Sequence, residues 1–140
     1  MAFTRDEMIK LLNRDLELEY SACIQYVQHA SVISGAEYES IQKELLVHAK
    51  EELGHAISLS EQIAFIGGTP TVAVGDIHTG VHAGEMLRQD LAGEEDAIER
   101  YKARIRQAEE LQEYGLRRVL EDILIVEEEH KRDLKMALGE

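Results

Sequence analysis

The 140-residue chain carries 28 acidic against 15 basic side chains, a formal net charge of −13. That balance excludes nucleic acid and anionic membrane surfaces as partners, since both must be met with positive charge. Hydrophobic residues at 44% are too many for a disordered acidic chain, and the length is that of one domain able to bury a core without disulfides or a structural metal. A single proline, no tryptophan and 5% aromatics lean toward helix. Cys23 is the only cysteine, which excludes an internal disulfide and a zinc ribbon. The start, MAFTRDEM, has neither a basic n-region nor an apolar h-region, and no apolar run approaches the roughly 18 residues of a membrane span. The expectation is a soluble, cytoplasmic, all-α protein with one domain over residues 1–140.

Thr4 followed by Glu7 forms a capping box that opens a first helix, which runs to about Ile33 and stops at Ser34-Gly35. A second helix is predicted from about Glu37 to Ile66, ending at Gly67-Gly68 with Pro70 just beyond. A third runs from about Ala83 to Gln112 and a fourth from about Leu116 to Leu138, with Gly115 marking the break. The first two helices and the last two are joined by only a few residues, so each pair must be an antiparallel hairpin. Roughly sixteen residues, GGTPTVAVGDIHTGVH, separate the second helix from the third. At about 3.3 Å per residue they reach roughly 50 Å, against about 45 Å for a helix of nearly 30 residues. The expected fold is therefore a four-helix bundle with one long crossover between helices 2 and 3; a plain bundle with a flexible loop is the alternative.

Each helix, followed along its inward 3-4-3-4 seam, is mainly apolar and carries a carboxylate near its midpoint: Glu19, Glu52, Glu94 and Glu127. Antiparallel packing brings the four midpoints to one level. Two of them are followed by histidine three residues on, Glu52-x-x-His55 and Glu127-x-x-His130, and positions i and i+3 share a helix face. With glutamate this common, one such pair arises by chance. Two pairs plus a lone glutamate on each remaining helix match the ligand inventory of a di-iron or di-manganese carboxylate site. The four carboxylates carry the charge that balances two M²⁺ ions, and imidazole is the borderline ligand such metals accept. The competing reading, helically spaced surface acids, would leave the seams without a reason for their carboxylates. Buried and unpaired, four such charges would each cost several kcal/mol.

The runs LELEYSACIQYVQHA around Glu19, EMLRQDLAGEEDA around Glu94 and VEEEHKRDL around Glu127 resemble the ferritin-like superfamily, and most closely bacterioferritin, over nearly the whole chain. The resemblance implies that Glu52 and Glu127 bridge two metal ions, that Glu19 and Glu94 are terminal carboxylates, and that His55 and His130 are terminal imidazoles. It makes Tyr26 a candidate electron donor. It further implies a ferroxidase holding two iron ions per subunit, with Mn or Zn as possible substitutes, that uses O₂ or H₂O₂ to oxidise Fe²⁺ for storage or detoxification as a homo-oligomer. Haem is not expected, because Leu53 stands where the family's haem-ligating methionine follows the first ExxH glutamate. The fourth helix is not followed, as far as Glu140, by the short extra helix of the 24-subunit cages, so a dimer or a twelve-subunit shell fits at least as well. A rubrerythrin-like oxidase or peroxidase that stores no iron is the alternative, weakened by the absence of any CxxC pair; a metal-free helical interaction protein is the rival from another class.

Other residues leave two readings each. His48, one turn before Glu52, is an extra ligand, a base or gate beside the metals, or a plain core histidine. Tyr101 either hydrogen-bonds a ligand or simply packs. Asp90 either accepts from the free N–H of His130 or is an exposed acid. His78 and His82, with Asp76, either form a surface metal stop or do nothing specific. Cys23 is a small core residue or a redox thiol, and Glu128 and Glu129 form a solvated face.

Overall fold

In the computed structural model, which describes residues 2–140, the chain forms α1 (Arg5–Val32), a single 3₁₀ turn (Ala36–Tyr38), α2 (Glu39–Phe65), α3 (Ala83–Glu110) and α4 (Tyr114–Ala137). The Thr4–Glu7 capping box is present in both directions, each bond at 3.1 Å. The second helix starts later than its periodicity implies, because Ala36–Tyr38 tightens into the 3₁₀ turn. The break before α4 is also not at Gly115, which lies inside the first turn of that helix. Gln112, at φ 60°, makes the turn instead, a left-handed conformation that costs a non-glycine residue about 1–2 kcal/mol.

α1 packs on α2 and α3 on α4 as antiparallel hairpins, and the hairpins meet through α1 with α3 and α2 with α4. Both of these contacts are antiparallel too: Tyr26 pairs with Glu94 and Glu19 with Tyr101, while His48 pairs with Asp133 and Glu51 with His130. The crossover runs the length of α1. Asn13 holds Thr69 and Thr71, the Glu17 carbonyl accepts from Gly75 N–H, Gln25 accepts from His78 N–H, and His29 reaches the His78 carbonyl. Gly68 starts this run, and a Cβ there would lie 2.6 Å from Ile9 Cγ2, so only glycine lets the chain pass so close to α1.

The core is split in two. One apolar cluster contains Leu12, Leu16, Leu59, Ile63, Leu116 and Leu120; the other contains Ala30, Ile41, Leu45, Met86, Leu87 and Leu134. Between them lies a buried polar layer built around Glu19, Glu52, Glu94 and Glu127, each 1–2% exposed. The apolar clusters hold the bundle closed, at roughly 1.5–3 kcal/mol per buried large side chain, and the layer between them is what stability alone does not explain.

Candidate metal centre

The inward seams and the antiparallel register bring Glu19, Glu52, His55, Glu94, Glu127 and His130 together at mid-bundle. His55 Nδ1 lies 3.2 Å from Glu52 Oε1 and 3.6 Å from both Glu19 Oε2 and Glu127 Oε1. His130 Nδ1 lies 3.2 Å from Glu94 Oε1, 3.3 Å from Glu127 Oε1 and 3.5 Å from Glu52 Oε1. The result is two overlapping nests, Glu19–Glu52–His55–Glu127 and Glu52–Glu94–Glu127–His130, in each of which one ligand atom per residue lies within 4.8 Å of the others. Glu52 and Glu127 belong to both.

The two tyrosines support this layer by exchange between helices. Tyr26 of α1 donates to Glu94 of α3 at 2.6 Å, and Tyr101 of α3 donates to Glu19 of α1 at 2.5 Å. Tyr101 is therefore a hydrogen-bonding partner of a carboxylate, and its bond goes to Glu19 although Glu94 is the acid on its own seam. These bonds use one oxygen of each outer glutamate. Glu19 Oε2, Glu94 Oε2, Glu52 Oε1, Glu127 Oε1 and His55 Nδ1 remain buried without a hydrogen-bond partner. Buried polar atoms are nearly always paired, and five orphans in one place form a donor set of carboxylate oxygens and imidazole suited to a pair of divalent cations.

The electrostatics carry the same cost. Burial pushes up the pKa values of Glu19 and Glu52, with Glu127 adding repulsion to each; that of Glu94 is pushed up to about 8, again by burial and then by Glu127. Glu127 is held low: burial opposes its charge, but the close approach of His130 and Glu52, and then the charges of His55 and His130, outweigh it. His130 is carried up to about 11, its burial overcome by the adjacent carboxylates of Glu127 and Glu94. Without a metal, the centre keeps protons as its counter-charge.

Around these nests the partners differ in part from expectation. Asp90 does not serve His130 and is not exposed. It is 3% exposed and meets His29 Nδ1 at 2.9 Å and Gln25 Nε2 at 2.9 Å. The acceptor for His130 is Glu51, 3.2 Å from Nε2, which orients the imidazole so that Nδ1 faces the carboxylates. His29 and Gln25 escaped the sequence reading because they lie beside the seam, yet their spacing of four next to Tyr26 marks them as one inward face. Asp15, fully buried against Arg100 and Arg104 at 2.7 and 2.8 Å, was hidden for the same reason.

Cys23 is only partly buried, and its thiol is pushed up by burial and by Glu19, which leaves little thiolate to react. His78 contributes backbone atoms to the crossover, and neither it nor His82 joins a cluster of three ligating side chains among the described residues. Glu128 and Glu129 are exposed. His48 is fully buried and stacks on His130, ring centroids 3.9 Å apart; burial and then the His130 charge lower its pKa to about 4. A cavity of about 410 Å³ opens between α1, α3 and the crossover, and runs from exposed Asp76, His78 and Asp96 to the buried glutamates.

Among the described residues, no helix is long and apolar enough to cross a membrane. The sequence profile described as a ferritin-like domain matches residues 9–140. A bacterioferritin of Brucella melitensis is 30% identical over 141 aligned positions, covering 96% of this chain and 88% of that protein. Among solved structures, a ferritin-like di-iron-carboxylate protein from Bacillus anthracis superposes with a TM-score of 0.91 at 34% identity, covering 97% of this chain and 99% of the other. A dodecameric thioferritin from Bacteroides fragilis, described as bacterioferritin-related, does so with 0.89 at 29% identity, covering 96% and 85%.

Proposed function

This chain belongs to the ferritin-like domain family, and from that premise we propose that it is a ferroxidase, one domain over residues 1–140, that oxidises Fe²⁺ for storage or detoxification. Glu52 and Glu127 are shared between two Fe²⁺ ions, with Glu19 and His55 completing one nest and Glu94 and His130 the other. The observation that carries this reading is the set of buried carboxylate oxygens, one on each of the four glutamates, that no protein donor satisfies. Each Fe²⁺ gives up one electron; the pair reduces H₂O₂ with two protons to two waters, or O₂ with two protons to H₂O₂. Tyr26 is an auxiliary electron donor: when only one nest holds Fe²⁺, it gives the second electron that H₂O₂ needs and is left as a neutral tyrosyl radical. Its phenol, fully buried and raised well above its ordinary value by burial and by Glu94, releases its proton only to Glu94 as the electron leaves.

A homo-oligomer in the cytoplasm is the working form. Support comes from the dodecameric neighbour and from apolar side chains left on the outer faces of the first hairpin: Ile24 and Val27 on α1, and Leu46, Leu53 and Ile57 on α2, each 44–54% exposed. Anaerobic loading with two Fe²⁺ per chain, followed by stopped-flow mixing with O₂ or H₂O₂, tests the reaction. Glu127→Ala removes a ligand common to both nests and is expected to slow oxidation by at least about 100-fold, ~2.7 kcal/mol of barrier, with helical circular dichroism intact. Unchanged kinetics in that variant refute the assignment. Tyr26→Phe is expected to leave Fe²⁺ binding in place and to abolish any tyrosyl radical signal seen on oxidation.

A further inference from the structure

Three more ligating side chains meet outside the two nests. Glu44 and His48 lie one turn apart on α2, and Asp133 faces them from α4. His48 Nε2 stands 3.1 Å from Asp133 Oδ2 and 3.8 Å from Glu44 Oε1, and one ligand atom of each residue lies within 4.8 Å of the others. The imidazole is fully buried, whereas both carboxylates are 43% exposed. Its nitrogen Nε2 is thus aimed from the core at two acids that face solvent. Its other nitrogen, Nδ1, is buried with no partner. The Asp133 hydrogen bond accounts for one nitrogen of this histidine and leaves the other unpaired, and pairing an imidazole with half-exposed carboxylates contributes little to stability.

The position of the cluster is informative. The cavity that reaches the glutamates opens between α1, α3 and the crossover. Glu44, His48 and Asp133 occupy the opposite side, where α2 meets α4. The His48 ring stacks on His130 at 3.9 Å and 27°, so a single pair of imidazoles separates the cluster from the centre. We propose that Glu44, His48 and Asp133 form a third, mononuclear site for a divalent transition-metal cation on the α2–α4 side of the bundle.

Two carboxylate oxygens and one imidazole nitrogen neutralise a dication and suit Fe²⁺, Mn²⁺, Co²⁺ or Zn²⁺ over the all-oxygen cations Ca²⁺ and Mg²⁺. Metal–ligand bonds of about 2.0–2.2 Å put neighbouring ligand atoms roughly 3 Å apart. The His48–Asp133 pair already has that spacing, and half-exposed Glu44, 3.8 Å from His48, has to close in on both. The half-exposed carboxylates leave the remaining coordination positions to water.

This site goes beyond the ferroxidase reading and does not depend on its redox chemistry, so Zn²⁺ is a suitable probe. Calorimetric titration of the metal-free full-length protein is expected to find three Zn²⁺ per chain. Glu44→Gln/Asp133→Asn is expected to bind two, with helical circular dichroism unchanged. Glu127→Gln is expected to weaken two ions and keep the one that the double substitution removes. Crystals soaked in Zn²⁺ are expected to show an anomalous peak bonded to His48 Nε2. Two ions in the wild type, sensitive to Glu127→Gln but not to the double substitution, overturn the third site and leave the dinuclear centre standing. No zinc binding at all overturns both.

Discussion

Removing metal from the centre should reverse the usual effect of mild alkali on an acidic protein, and its size follows from two groups. Glu94 titrates at about 8 in the folded chain against an ordinary 4.5, and His130 at about 11 against 6.5. Both are raised, so the folded state holds their protons longer than the unfolded state does. Their stabilisation is complete at low pH and drains away as pH rises through the folded values. Between pH 6.5 and 8.0 both contributions fall, each by an amount on the order of 1 kcal/mol. His48, lowered to about 4, acts in the opposite sense, and returns only a small part of this, because its unfolded value of 6.5 lies at the bottom of the interval. The two groups touch, so their losses do not simply add, and the net loss is on the order of a few kcal/mol against the ~5–15 kcal/mol that holds a domain together. Glu19, Glu52 and His55 are raised as well and add to it. Urea unfolding in chelator at fixed protein concentration, at pH 6.5 and 8.0, measures this directly. Saturating Zn²⁺ should cancel the loss, because a bound cation takes over as the counter-charge of ionised carboxylates. Glu94→Gln should make the metal-free slope shallower. Metal-free stability that is flat or rising over this interval refutes the argument that protons balance the buried layer.

Two predictions concern the scaffold. Asp15→Asn leaves Arg100 and the buried Arg104 without their carboxylate, and is expected to destabilise by about 3–5 kcal/mol in urea unfolding; a loss below ~1 kcal/mol would mean that the pair contributes no net stability. Gln112→Gly removes the Cβ from a left-handed turn before α4 and is expected to raise stability by about 0.5–1 kcal/mol, read as a higher melting temperature; a fall would show that the side chain at this turn matters more than its backbone strain.

The inward-facing glutamates and histidines were legible in the sequence because they depend on local order. Helical periodicity places Glu19, Glu52, Glu94 and Glu127 at the middle of apolar seams, and i, i+3 spacing puts His55 and His130 on the faces of their glutamates. The length of the crossover decided that α3 starts at the same end as α2, which makes every helix contact antiparallel and sets the four acids at one level. Helix stops were legible where a glycine takes a left-handed turn, as at Gly35 and Gly67, and were misread at Gly115 because Gln112 supplies that conformation instead.

Partners across helices were decided only by the tertiary structure. Nothing along the chain says that Tyr101 donates to Glu19 instead of the glutamate of its own helix, that Asp90 serves His29 and leaves His130 to Glu51, or that His48 meets Asp133 across α2 and α4. Those pairings follow from the rotation of each helix about its axis and its vertical register against its neighbours. Both are set by the packing of the two apolar clusters above and below the polar layer. The sequence determined which side chains face inward; the packing of those clusters decided which of them touch.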